Sequence, residues 1–277
     1  VGFVATGETA LSNEANSYQN INYQVSEGIA RLTLDRPEAM NSLDLPTCRE
    51  LSDVAIRIDE DPTARCVLIS GTGKAFCAGG DVAAFASAGD GAPALLKKMT
   101  GFMHSAWSRL LRGNAPVVTA VNGVAAGAGL ALAALSDLVV AARSARFTMA
   151  YTGIGLTPDG SSTYFLSRLV GLRRAQELVL TNRVLSADEA LDWGLVTRVV
   201  DDEELAQEAD KLAAKLAAGP TLAYGRSRAL LLSGLQESLE TQMELEARAI
   251  ADSGRTADFR AGLDAFVNKK RPTFTGN

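Results

Sequence analysis

A chain of 277 residues, 47% hydrophobic and 21% charged, is large enough for one α/β domain with a sizeable core, or for two small domains, and has the composition of an ordered globular protein. A net charge of −5 with no dense Lys/Arg run argues against nucleic acid or an anionic membrane surface as partner. The longest apolar stretch, Pro116 to Ala142, is broken by Asn122, Gly123, Gly127, Gly129, Ser136 and Asp137, so it reads as strand, turn and helix and not as a membrane span.

In chain order, the polar segment 1–20 lacks a basic-then-apolar signal pattern and reads as a flexible extension. Ile29–Leu34 alternates apolar and polar residues and ends at Asp35-Arg36-Pro37, a strand followed by a turn. Leu51, Val54, Ala55 and Ile58 predict a helix over Pro46–Ile58. A buried strand, Cys66–Ser70, leads into a glycine-punctuated loop from Gly71 to Asp81, and a long amphipathic helix follows over Ala94–Leu111. Pro116–Val121 is a strand, followed by the loop Asn122–Gly129 and a small-residue helix, Leu130–Leu135. Short strands at Leu138–Ala141 and Phe147–Met149 precede the loop Gly153–Gly160 and a helix over Ser161–Leu169. Beyond Arg173 the pattern predicts helices alone. Their clearest start is the capping box Ser186/Glu189, with Gly194 placed to end that helix. The result is an α/β core over 21–200 and a helical region over 201–277.

Single residues narrow the chemistry. Cys48, Cys66 and Cys77 are odd in number and form no CxxC pair, which predicts free thiols and a reducing, cytoplasmic setting. Cys77 has no partnering histidine nearby and reads as a small buried filler, not a nucleophile. The one histidine, His104, lies among Met103, Trp107, Leu110 and Leu111 and reads as a packed or half-exposed helix residue. Zinc sites built on several imidazoles and His-dependent triads therefore lack their residues, and neither a metal nor a redox cofactor is expected. Asp137 directly precedes a strand and reads as a capping or pairing acid.

Two loops share one design. Lys74-Ala-Phe-Cys-Ala-Gly-Gly-Asp81 and Asn122-Gly-Val-Ala-Ala-Gly-Ala-Gly129 each take a strand through a glycine turn into a helix. Small residues let backbone approach a ligand, and a helix start offers unpaired N–H groups of positive character. Two such groups converging on one oxygen would make an oxyanion hole; packed turns are the structural alternative.

Together, in this order, the loops resemble those of the crotonase (enoyl-CoA hydratase/isomerase) superfamily. So do Leu34-Asp-Arg-Pro-Glu-Ala-Met-Asn41, Gly155-Leu-Thr-Pro-Asp-Gly160 and the ending Phe266-Val-Asn-Lys-Lys270. The resemblance runs from about Ile21 to the C-terminus. It implies a crotonase-type α/β spiral of ββα units with a C-terminal helical trimerisation region, hence a homotrimer or hexamer. It also implies an acyl-CoA thioester substrate, with no cofactor beyond the CoA moiety of that substrate. The N–H groups of Gly80 and Ala128 become the oxyanion donors, Ala128 standing where the family usually has glycine. Ala39, Met40, Ala78 and Asp81 fall where family members line the CoA and thioester channel, with a core role for Met40 and a helix cap for Asp81 as alternatives.

Hydratases of this superfamily use two glutamates, and the matching positions here are Ala131 and Tyr151. One acid remains nearby, Asp159, whose structural alternative is an N-cap to the helix near Ser161. The Gly-Leu-x-Pro-Asp loop, Gly254-Arg-Thr-Ala-Asp-Phe259 and Pro272-Thr-Phe-Thr-Gly276 are similar to the branch of 1,2-epoxyphenylacetyl-CoA and enoyl-CoA isomerases. In that branch the loop aspartate is the acid/base residue, although Ser161-Ser162 replaces its frequent Gly-Gly. The expected reaction is a double-bond shift by Asp159, with Tyr151 as a pocket wall or a hydroxyl donor. Hydration, thioester hydrolysis, decarboxylation and non-catalytic acyl-CoA binding are the alternatives.

Overall fold

The computed structural model describes residues 18–277, so most of the sequence-predicted extension 1–20 lies outside the described residues. Among the described residues ten strands form two sheets. The strands are β1 (Ile21–Ser26), β2 (Ile29–Leu34), β3 (Cys66–Gly71), β4 (Ala75–Cys77), β5 (Val117–Val121), β6 (Val124–Ala126), β7 (Leu138–Ala142), β8 (Arg146–Thr148), β9 (Leu185–Ser186) and β10 (Arg198–Val200). The larger sheet runs β1-β2-β3-β5-β7-β10 and the smaller one β4-β6-β8-β9. From β2 to β10 the larger sheet is parallel, and only β1 is antiparallel to its neighbour.

The helices are α1 (Leu45–Glu60), α2 (Val82–Ala88), α3 (Ala92–Arg112), α4 (Ala128–Leu135), α5 (Ser162–Leu169), α6 (Leu172–Thr181), α7 (Ala187–Asp192), α8 (Leu205–Ala217), α9 (Thr221–Ser233), α10 (Leu239–Ser253) and α11 (Ala257–Val267). Three times the chain runs a strand into the larger sheet, turns into the smaller one and leaves as a helix: β3-β4-α2, β5-β6-α4 and β7-β8-α5. Stacking these turns in parallel makes the spiral of ββα units, with α9 to α11 as the helical C-terminal region.

Period-two alternation decides which side of the larger sheet each residue joins. Val67, Ile69, Val117, Val121, Val139 and Ala141 enter the main core with α1 and α3. Cys66, Leu68, Val118, Ala120, Val140 and Ala142 face the other way, against Leu205, Ala209, Ala213 and Ala217 of α8. The four-residue spacing puts these α8 side chains on one stripe, and its alanines let the helix lie close to the strands. Thus α8 covers the core sheet, although the sequence groups it with the helical region.

The expectation of helices alone beyond Arg173 is corrected by β9 and β10. β10 pairs in parallel with β7 and closes the larger sheet, while β9 pairs with β8. The Ser186/Glu189 capping box is present at the start of α7. Tyr18 to Asn20 are tied to α1: the Gln19 and Asn20 N–H groups donate to Glu50 at 2.8 and 3.0 Å. The two tail motifs meet each other, because the buried Asp258 carboxylate accepts from the N–H groups of Thr275 and Gly276 at 2.7 and 2.9 Å. Among the described residues no helix is long and apolar enough to cross a membrane.

Asp137 is a structural acid. Its Oδ2 accepts from Val117 N–H at 2.7 Å and from Arg228 Nη1 at 2.6 Å, joining α9 to the sheet. Arg228 is buried and also donates to the carbonyls of Gly113 and Ala115. Asp137→Ala leaves that guanidinium without its carboxylate, and we expect a loss of about 3 kcal/mol of stability, read by urea denaturation.

Candidate active site

The motif Leu34 to Asn41 buttresses the first glycine loop. Asn41 is buried with φ +55°, and its side-chain amide donates to the carbonyls of Thr72 and Ala75, both at 2.8 Å, clamping the turn between β3 and β4. Ala78 N–H donates to Met40 O at 3.0 Å. Leu43 then makes a parallel bridge to Gly80 by donating to Gly79 O (2.7 Å) and accepting from Asp81 N–H (2.9 Å). That pattern engages the groups on either side of Gly80 and directs the Gly80 N–H away from Leu43.

The second loop ends at α4. Gly127 N–H is taken by Thr148 O at 3.0 Å, and Ala128, the first helical residue, has no intrahelical acceptor for its own N–H. The two loops touch through glycine. A Cβ on Gly79 would stand 2.9 Å from Ala126 O and 3.5 Å from Ala128 N, and one on Gly129 would collide with the Cys77 carbonyl and lie 2.7 Å from Cys77 Cβ. No side chain fits between them, so the Gly80 and Ala128 segments are brought to one wall.

That wall belongs to a cavity of about 330 Å³ lined by Ala78, Gly80, Ala128, Tyr151 and Asp159 among others. Its remaining surface is mostly apolar, with Phe85 of α2 and Leu96, Met99 and Met103 of α3, and with Thr100 and Thr157 also on the wall. Asp159 is the one carboxylate among the described lining residues.

The Asp159 carboxylate does not cap α5: the helix starts at Ser162, its N-cap is Ser161, and there is no side-chain cap bond. Instead Asp159 Oδ1 accepts from the Tyr151 hydroxyl at 2.6 Å. Burial, then the charge of Asp159, pushes the Tyr151 phenol well above its ordinary range, so it remains a protonated donor. Tyr151 is thus both cavity wall and hydroxyl donor. Replacing it with Phe removes a charge-assisted bond without enlarging the cavity. We expect kcat to fall about tenfold with KM little changed, measured by steady-state kinetics.

Ala131 and Tyr151, the two positions matched to hydratase glutamates, flank the same turn. Ala131 is fully buried, and a Cβ on Gly160 would stand 3.2 Å from its methyl group. The other expected channel residues separate. Ala78 lines the cavity, whereas Ala39 and Met40 do not, Met40 being exposed in the left-handed region at φ +52°. Asp81 does not line it either. Its carboxylate caps α2 by accepting from Ala84 N–H at 3.1 Å and pairs with Arg36 at 3.3 Å.

Burial pushes the Cys77 and Cys48 thiols up to about 12, which suits packing and not attack. The sequence marks α3 as amphipathic, with Met103 in its apolar run, but only the fold reveals that Met103, with Met99 and Leu96, faces a cavity.

The cavity thus brings the Gly80 and Ala128 segments, with the unpaired N–H groups of a helix start, beside one carboxylate. The model of the enoyl-CoA hydratase/isomerase family matches residues 24–277, and the chain belongs to that family, the crotonase superfamily. It is 42% identical to the 1,2-epoxyphenylacetyl-CoA isomerase of Escherichia coli, covering 91% of this chain and 97% of that protein. It is 35% identical to the crotonyl-CoA hydratase of Syntrophomonas wolfei, covering 93% and 98%. The crystal structure of an enoyl-CoA hydratase/isomerase from Cupriavidus metallidurans is similar with a TM-score of 0.86 at 32% identity, covering 94% of this chain and 98% of that one. An isomerase and a hydratase both stand among these relatives, so membership leaves the reaction to the site.

Proposed function

We propose that the chain is an enoyl-CoA isomerase that moves a double bond into conjugation with a thioester. The observation that carries this reading is the single carboxylate, Asp159, held by Tyr151 in an apolar cavity beside the Gly80 and Ala128 N–H groups. Asp159 takes a proton from C2 of a 3-enoyl-CoA, and the electron pair passes onto the thioester oxygen. The Gly80 and Ala128 N–H groups hold that oxygen as a dienolate. The carboxyl returns the proton to C4, and the electrons close the C2–C3 double bond. One base suffices for this shift, whereas hydration also has to activate water and would use acids where Ala131 and Tyr151 stand.

The CoA portion is proposed to leave the cavity past Ala78 toward Ala39 and Met40. Asp81, already engaged by Arg36 and α2, contributes to this path by holding the loop. The reading needs no cofactor beyond the CoA moiety of the substrate. A homotrimer or hexamer is the proposed assembly, supported by exposed Leu231, Leu239, Ile250 and Phe266 on the C-terminal helices. A reducing cytoplasmic setting suits the three free, buried thiols.

Product analysis with 3-enoyl-CoA and 2-enoyl-CoA thioesters tests the reaction. The reading expects the 3-enoyl compound to become its conjugated isomer, with little 3-hydroxyacyl-CoA formed from either. Rapid formation of 3-hydroxyacyl-CoA from the 2-enoyl compound would make the protein a hydratase.

A further inference from the structure

The peptide joining Asp159 to Gly160 is pinned at both of its polar atoms. The Asp159 carbonyl accepts from Ser162 N–H at 3.1 Å and from the Ser162 hydroxyl at 2.7 Å. The Gly160 N–H donates to Nε2 of His104 at 3.2 Å. His104 is the only histidine of the chain and sits on α3, one residue beyond Met103 of the cavity wall. His104 is an exposed residue that does not line that cavity, and its bond to the turn is part-buried.

Gly160 itself has little freedom. It is buried at φ +60°, and a Cβ there would stand 3.2 Å from Ala131 Cβ, 3.2 Å from Trp107 Nε1 and 3.4 Å from Met103 Cε. A peptide unit is planar, so fixing its carbonyl and its N–H fixes the direction of the whole plane. That plane carries the Cα of Asp159, and its direction sets where the carboxylate is offered to Tyr151 and to a substrate.

We propose that His104 is a positioning residue for Asp159, acting through the Gly160 N–H. This rests on reading Asp159 as the acid/base group. Accepting at Nε2 requires the tautomer with its proton on Nδ1. Without the imidazole, a buried N–H loses its acceptor, and the plane turns to find another. A displacement of about 1 Å at a reacting group lowers turnover by up to about a hundredfold, while substrate binding, set by the cavity wall, is spared.

The test compares the full-length wild type with His104→Leu and His104→Gln. Gln places a side-chain carbonyl where Nε2 stands. Three quantities are read: amide hydrogen exchange at Gly160, the carbon-13 resonance of the Asp159 carboxyl, and steady-state turnover of a 3-enoyl-CoA. In the Leu variant, Gly160 exchange is expected to quicken about tenfold, as loss of one hydrogen bond implies. The Asp159 resonance moves, and kcat falls about ten- to a hundredfold with KM within about twofold. Gln restores all three. Unchanged Gly160 exchange, an unmoved Asp159 resonance, or a Gln variant no better than Leu would each overturn the role. If Asp159→Asn keeps wild-type turnover, the reading of Asp159 as the acid/base group fails instead, and the exchange and resonance measurements still decide whether His104 orients Asp159.

Discussion

Asp159→Asn is expected to lower kcat for the proposed 3-enoyl to 2-enoyl conversion by about a hundred- to ten-thousand-fold, the usual contribution of a positioned acid/base group. The amide keeps the shape of the carboxylate and can still accept the Tyr151 hydroxyl, but it cannot take a proton. Because the turn is held through its backbone by Ser162 and His104, the substitution leaves the fold intact. Affinity for an acyl-CoA therefore stays near wild type, which isothermal titration with a non-reacting saturated thioester measures. Loss of binding together with turnover would indicate that Asp159 shapes the cavity and performs no proton transfer.

The second large effect is expected at a residue that never meets the substrate. Gly129→Ala drives a methyl group into the Cys77 carbonyl and side chain, so the loop after β4 and the start of α4 must separate. Displacing one oxyanion donor costs about 10²–10³ in kcat. The overpacking costs about 1–3 kcal/mol of stability as well. Thermal denaturation with steady-state kinetics separates the two terms: a folded variant with kcat reduced that far places the effect in the geometry of the two N–H groups. A folded variant with wild-type kcat would mean that loop contact does not set that geometry.

How legible these features were in the sequence depended on how local their causes are. β2 is read with its observed bounds, Ile29–Leu34, because alternation runs from Ala30 to Leu34 and Asp35-Arg-Pro37 stops it. The Ser186/Glu189 box is equally local. β10 was missed because three residues carry no measurable period, and Val199-Val200 become a strand only by pairing with β7. β4 and β6 hide inside the glycine loops for the same reason, although both loops were marked as the site.

At the site, Asp159 was legible as the remaining acid, but its choice between capping α5 and meeting Tyr151 was not. The two residues are eight apart with a 3-10 turn, Tyr151–Ile154, between them, and only the closed turn aims the phenol at the carboxylate. His104 looked like an ordinary helix residue because its partner is a backbone N–H 56 positions away, which no side-chain pattern encodes. Asp81 had its cap written three residues ahead of Ala84, while the ion pair with Arg36 needed the fold.

The measurement that bears most directly on the proton shuttle is the fate of deuterium at C2 of a 3-enoyl-CoA. The labelled thioester is turned over by the wild type and by Asp159→Asn, and the products are read by NMR. The account predicts deuterium carried from C2 to C4 of the conjugated product by the wild type, and conversion nearly absent in the variant. Conversion that survives Asp159→Asn and brings no deuterium to C4 would contradict it and place the base elsewhere in the cavity.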